Sequence, residues 1–319
     1  MLYALLKIPA GFAFRIYCRK LMLNNKEMFN CDGPLLLATN HPNSFLDAIM
    51  LATLFKKHVH SLTRGDAFTK KLYNKLLTSL NMVPVYRSSE GAENLGHNYK
   101  TFDYCKEIFK QNGIVLIFSE GVCINEWHLR PLKKGTARLA ISAWQEGIPL
   151  QVLPLGINYH SFTSFGKNIQ LNFGHPITEK VFDASHAHGK SIAGFNDNLN
   201  EQLKQLVFEI DKQDTKTLKQ RFTVVQPPIK KFILFLPAIL GWLFHAAFYL
   251  PLKNFSRKRF AHDDHFDSVL IGMLFLLYPL FLILFSAVVF LLVGKWYGLA
   301  VFLVLPFCAW SYVQLKRQF

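Results

Sequence analysis

The chain lacks the paired cysteines of a secreted or zinc-bound scaffold. Its five cysteines, at 18, 31, 105, 123 and 308, are odd in number, far apart and free of any Cys-x-x-Cys pattern. Neither a disulfide framework nor a zinc site is indicated, and a reduced, cytoplasm-facing setting fits best. Acidic residues are also scarce: 21 Asp and Glu stand against 36 Lys and Arg, a formal charge of +15. That imbalance implies an anionic partner, and an apolar composition favours a phosphorylated substrate or an acidic membrane surface over nucleic acid. The N-terminal MLYALLKIPAGFAFRIYCRK has no small-x-small cleavage site, and Lys7 and Arg15 interrupt its apolar run. It reads as part of the mature chain rather than as a signal peptide. No internal repeat or low-complexity tract is present.

Apolar and aromatic residues are abundant. With 51% hydrophobic residues and 30 Phe, a bilayer is a candidate solvent for part of the chain. In the first segment, residues 1–30, Lys7, Gly11, Arg15 and Arg19 recur every fourth position. On a helix they form one basic stripe on an apolar background, the pattern of an amphipathic helix lying in a membrane interface. Across residues 31–225 apolar runs alternate with longer amphipathic stretches, which predicts an α/β domain with a mostly parallel sheet flanked by helices. The expected strands are 34–39, 58–63, 82–86, 114–118, 150–157 and 169–173. A helix is expected over 94–111, with Leu95, Tyr99, Phe102, Cys105 and Phe109 on one face and Asn112-Gly113 as its C-cap.

Composition changes at Gln226-Pro227-Pro228. Residues 268–293 are long enough to span a bilayer, and with 299–315 they predict a transmembrane hairpin turned by GKWYG, with Trp296 and Tyr297 at an interface. Within 226–267 the apolar run 232–250 is either spanning or re-entrant. If it spans, Lys253, Arg257, Lys258 and Arg259 lie across the membrane from Lys230 and Lys231. If it dips and returns at Pro237, every basic group shares the cytoplasmic side, which the positive-inside pattern favours.

The stretch NHPNSFLDAIML places His41 and Asp47 six positions apart. On one α-helix that offset turns them roughly 240° away from each other, so they cannot meet within a helix. Ser44-Phe45-Leu46-Asp47 has the form of a capping box and puts a helix start near Asn43 or Ser44, after a strand. A strand-to-helix turn can then fold the imidazole back to the carboxylate. Such a pair makes a general base, although a helix cap beside a solvated histidine uses the same residues.

The stretches NHPNSFLD, MVPVYR, FSEGVCINEWHLRPLKKGTAR and VLPLGI follow one another in that order. Together they resemble the glycerolipid acyltransferase superfamily, which includes the lysophosphatidic acid and glycerol-3-phosphate acyltransferases. The first block departs from that family: five residues, not four, separate His41 from Asp47, and Ser119 stands where proline is usual. The run EG-x-x-x-NE-x-x-LRPLK-x-G-x-AR is more similar to the glycerol-3-phosphate and dihydroxyacetone-phosphate branch.

The resemblance implies His41 as the base that deprotonates an acceptor hydroxyl, Asp47 as its orienting partner, Arg87 as a phosphate ligand, and Glu120 and Gly121 as residues that shape the acceptor site. Arg130, Lys133, Lys134 and Arg138 form a further basic cluster. With Pro131 as a first helical residue, Lys134 and Arg138 share a face near a helix N-terminus, placed to contact phosphates of acceptor, coenzyme A or lipid headgroup. The expected activity moves an acyl chain from acyl-CoA or acyl carrier protein to 1-acylglycerol 3-phosphate, in phospholipid biosynthesis. Glycerol 3-phosphate, dihydroxyacetone phosphate and another single-chain lipid are the alternative acceptors. The partners are then membrane lipids, the acyl donor and a phosphorylated glycerol, with no nucleic acid and neither metal nor other cofactor. The domain is expected at the cytoplasmic face of a membrane.

Two competing classes remain: a transporter, disfavoured because no charge interrupts 268–293, and an inactive lipid-binding relative. The stretch AHDDHFD, residues 261–267, has no standard metal-ligand spacing and reads as an interfacial loop. His58, His60 and His128 read as structural.

Overall fold

A computed structural model of the chain describes residues 2–86, 96–181, 188–260 and 264–319. The chain opens with α1 (Leu2–Tyr17) and β1 (Cys18–Leu23), then β2 (Leu35–Thr39), α2 (Ser44–Leu54), β3 (Val59–Arg64), α3 (Lys71–Ser79), β4 (Met82–Val85), α4 (His97–Lys110) and β5 (Ile114–Phe118). It continues through α5 (Gly135–Gln145), β6 (Gln151–Tyr159), β7 (Lys167–Phe173), α6 (His188–Leu206) and α7 (Thr215–Phe222), and ends in α8 (Pro228–Phe260), α9 (Phe266–Leu292) and α10 (Lys295–Leu315).

The strands form one sheet in the order β1-β7-β6-β2-β5-β3-β4, parallel throughout except for the antiparallel pair β6 and β7. Period-two alternation sends β2 side chains to opposite faces. Leu35 and Leu37 face a core with α1 and α2, while Leu36 and Ala38 face a second core with α4, α5 and α6. A sheet covered on both faces explains why β2 and β5, LLLAT and IVLIF, are continuously apolar.

Three expectations are corrected at the N-terminal side. The first helix stops at Tyr17, and Cys18–Leu23 is an edge strand paired with β7, so Arg19 leaves the basic stripe and its Nε donates to Val313 O over 2.8 Å. Lys7 turns inward and donates to the carbonyls of Phe55 and Lys56 at the end of α2, where a cation offsets the helix dipole. Leu5, Ile8 and Phe12 face outward instead. On α4, Tyr99 is exposed rather than in the apolar line with Cys105 and Phe109, and Leu95 lies outside the described residues. Asn112, with φ 55°, takes the left-handed position that ends α4.

Three helices, α8, α9 and α10, are long and apolar enough to cross a membrane. The break expected at Pro237 is absent: α8 runs unbroken through Pro237 and Pro251 for 33 residues, about 50 Å at 1.5 Å per residue. Both ends of α8 nevertheless meet the α/β domain side. At its start, Lys230 Nζ donates to Gln314 Oε1, and Gln314 in turn donates to Arg19 O. Just past its end, Asp264 accepts from Asn125 N–H over 2.8 Å. The segments α9 and α10 are antiparallel, joined at Gly294, where Ser286 Oγ donates to Gly298 O.

Candidate active site

Strand register builds the site. Thr39 pairs with Phe118 across β2 and β5, and Ser119 N–H donates to Thr39 O over 2.8 Å. His41 and Glu120 therefore leave the carboxyl edge of the sheet side by side, at the edge where open α/β folds bind ligands.

The turn after β2 bends as its sequence requires. Asn43 is the N-cap of α2, and Ser44 takes the left-handed conformation with φ 51°, which costs a non-glycine residue about 1 kcal/mol. That kink returns the chain so that Asp47, one turn into the helix, faces His41: Nδ1 of the imidazole lies 3.0 Å from Asp47 Oδ2. The carboxylate is fully buried and further held by Asn43 N–H at 2.8 Å and by the Tyr159 hydroxyl at 2.7 Å. Only the returning half of the expected capping box forms, because Ser44 Oγ contacts His265 Nδ1 at 2.7 Å instead of capping the helix.

The His41 ring stacks on Phe118, with centroids 3.6 Å apart and planes 16° from parallel, and its side chain stays 18% exposed. With Nδ1 engaged by Asp47, Nε2 is the nitrogen left for a proton in transit. An imidazole held this way can accept a proton from a hydroxyl and return it to a leaving group.

Glu120 is a clasp more than a binding surface. It is buried; its Oε2 accepts from His41 N–H at 2.7 Å and its Oε1 from Arg130 N–H at 2.8 Å. Burial pushes its carboxyl above the usual range, and the two amide donors pull the other way. Gly121 follows with φ 67°, and a Cβ there would meet Lys133 Cγ at 3.0 Å. The main chain of Lys133 donates to Ser119 O over 2.8 Å, and Arg130 Nε lies 2.5 Å from Glu126 Oε1.

The expected helix start at Pro131 is corrected. α5 begins at Gly135 with Lys134 as its N-cap, because the main chain of 130–133 is committed to Glu120 and Ser119. Lys133, Lys134 and Arg138 are exposed and meet no carboxylate ion-pair partner among the described residues. The fold thus gathers His41, Asp47, Glu120, Gly121, Arg130 and Lys133 at one sheet edge, with Lys134 and Arg138 at the adjacent helix start. Arg87 lies outside the described residues. The amides of Asn43 and Ser44 at the helix start are engaged by Asp47 Oδ2 and by Cys123 Sγ.

The reading of 261–267 as an interfacial loop is also corrected for its described part. Asp264 binds the main chain of Asn125, His265 meets Ser44, and Asp267 Oδ2 accepts from Asn43 Nδ2 at 2.9 Å. Asp267 is buried with Lys167, 3.0 Å away, and with the Tyr17 hydroxyl at 2.6 Å. Burial lowers the Lys167 ammonium and Asp267 opposes it. Tyr159 and Lys167 were not among the residues singled out from sequence, where Asn43 stood only as a helix start and Asp267 only as the end of AHDDHFD. The density of Asp and His in AHDDHFD was the one local signal of this contact. His128 pairs with Glu209 at 2.5 Å and His58 packs on the Tyr3 ring, away from these contacts.

Residues 20–158 match the model of the Acyltransferase family. Among solved structures, the chain is similar to the 1-acyl-sn-glycerophosphate (LPA) acyltransferase PlsC of Thermotoga maritima, at 16% identity and a TM-score of 0.45, over 63% of this chain and 78% of that one. No curated protein sequence matches it significantly. The family match thus runs from within β1 to the penultimate residue of β6 and includes His41, Asp47, Glu120 and Gly121, while the three helices long and apolar enough to cross a membrane lie outside it.

Proposed function

We propose that His41 is the general base of an O-acyltransferase that moves an acyl chain from an acyl thioester to the free hydroxyl of 1-acylglycerol 3-phosphate. The observation that carries this reading is the 3.0 Å contact of His41 Nδ1 with the buried Asp47, at the open edge of the sheet. His41 Nε2 takes the hydroxyl proton as the acceptor oxygen attacks the thioester carbonyl. The tetrahedral adduct then expels the thiolate, which recovers the proton from the imidazolium, leaving an ester and a free thiol. Base, orienting carboxylate and activated thioester balance this transfer with no resident metal or cofactor. Lys133, Lys134 and Arg138 are the groups for the phosphates of acceptor and donor, at a helix start that itself favours anions.

The membrane reading rests on the exposed apolar surfaces of the last three helices. The pair α9 and α10 crosses the bilayer as a hairpin with Gly294 at the far side. Helix α8 packs on α9 and α10 through Phe244, His245, Phe248 and Gly241 and turns Phe232, Phe235 and Leu236 toward lipid, with both its ends on the domain side of the hairpin. The domain then sits at the cytoplasmic face, where the exposed Arg257, Lys258 and Arg259 meet anionic lipid. Single cysteines at 253 and 295 in a cysteine-free chain label from opposite sides under this topology; labelling of both from one side would refute it.

The activity test incubates detergent-purified protein with labelled acyl-CoA, or acyl carrier protein carrying the same chain, and with 1-acylglycerol 3-phosphate or glycerol 3-phosphate. Labelled diacylglycerol 3-phosphate is the expected product. Product from glycerol 3-phosphate alone would reassign the acceptor, and no product in any arm would overturn the reading.

A further inference from the structure

The extra residue of the His41 turn is where the acyltransferase fold and the membrane helices meet. Asn43 is fully buried, its N–H donates to Asp47 Oδ2 over 2.8 Å, and its side-chain amide donates to Asp267 Oδ2 over 2.9 Å. Ser268, the next residue of α9, donates its hydroxyl to Asn43 O at 2.9 Å and accepts Leu46 N–H at 3.3 Å. One residue therefore bonds the orienting carboxylate and both polar groups at the start of α9. We propose that Asn43, Asp267 and Ser268 form a positioning device, in which the first turn of α9 sets the geometry of the His41–Asp47 pair.

Chemistry and burial support this assignment over incidental packing. Asp267 sits in a dry site where an unmatched carboxylate is costly, and Lys167, Tyr17 and Asn43 all converge on its Oδ2 while its Oδ1 meets no donor. An aspartate so matched is a fixed acceptor, and it holds the Asn43 amide in one orientation. The turn has one residue more than the family spacing and includes a left-handed serine, so its main chain needs outside bonds to adopt a single conformation. Glu120, Asn125 and Cys123 bond its His41, Pro42 and Ser44 main chain, and the carbonyl and side chain of Asn43 are held by Ser268 and Asp267, beyond the 20–158 stretch that matches the family. The membrane segment is then part of the reactive geometry as well as an anchor.

The test uses full-length enzyme in detergent and rests on the acyl-transfer reading for one of its two readouts. Asn43→Ala and Ser268→Ala each delete one polar group while leaving the buried Lys167–Asp267 pair intact. Ser286→Ala serves as the control, removing a comparable buried hydroxyl bond at the far end of α9. Both positioning variants are expected to lower kcat by about 10- to 100-fold, with KM for donor and acceptor within twofold, while the control keeps wild-type kcat. The second readout needs no turnover: the rate at which diethyl pyrocarbonate modifies His41 at pH 7, followed by mass spectrometry of its peptide. Release of the turn should raise that rate severalfold in both variants and leave it unchanged in Ser286→Ala. Wild-type kcat and an unchanged modification rate in Asn43→Ala and Ser268→Ala would overturn the proposal, as would equal effects from Ser286→Ala. If the wild-type enzyme transfers no acyl chain, the functional reading fails and the modification rates alone decide this one.

Discussion

The hydroxyl of Tyr159 donates to Asp47 Oδ1 over 2.7 Å, from the last residue of β6 to the first turn of α2. Burial and the neighbouring Asp47 hold that phenol protonated, so it acts as a donor throughout the working pH range. Tyr159→Phe leaves a buried carboxylate oxygen without its partner. The expected result is a loss of about 1–3 kcal/mol of stability in denaturant titration and a clear fall in kcat, read in the same preparation.

Glu120 joins two loops by accepting one main-chain N–H on each oxygen. Glu120→Gln can accept on one side only and turns an amine donor toward the other amide. Activity should drop by at least tenfold and stability by roughly 1–3 kcal/mol, measured by turnover and thermal melting. A Gln variant with full activity would assign Glu120 a packing role alone.

Gly121 takes φ 67°, the left-handed region. Gly121→Ala should cost about 1–2 kcal/mol of stability, because the strain is in the main chain, whereas the nearby Lys133 Cγ belongs to a flexible side chain that can yield. Gly121→Asn, a residue that tolerates this region, should cost less than Ala if backbone strain is the cause.

His160 provides a pH signature. Its Nδ1 accepts from Asn168 N–H over 3.0 Å and its Nε2 lies 3.1 Å from Gln318 O, an arrangement made for the neutral ring. Burial, with the nearby Lys167 and Arg19, pulls it from 6.5 down to about 3. The unfolded chain therefore binds a proton that the folded chain refuses, so its contribution to stability is complete above about 6.5 and is lost as pH falls toward 3. Melting temperature should decline on acidification through this window, and His160→Gln should flatten the decline while lowering stability at neutral pH.

Much of the sheet could be read from sequence because its strands are short apolar runs bounded by turn residues. β2 and β5 fall within one residue of their expected limits and β6 within two. The edge strand β1 could not be read, since CRKLML continues a helical-looking run and its pairing with β7 joins residues far apart in sequence. The turn that returns Asp47 to His41 follows from strand, proline and helix start in order. Its support by Asp267 does not, because 224 positions separate the two ends of the Asn43 contact, and no local pattern encodes such a contact. The same limit applies to Tyr159, which reads as one more apolar residue at the end of a buried strand until the fold brings it to Asp47.

The central claim is that His41, held by Asp47, carries the proton in acyl transfer. Its most direct measurement is kcat for His41→Ala, Asp47→Asn and the double variant, in one detergent preparation whose folding is checked by melting. Groups that act as one unit lose activity together, so each single variant should fall by about 10³-fold or more, with little further loss in the double. A His41→Ala enzyme within tenfold of wild type would contradict the account.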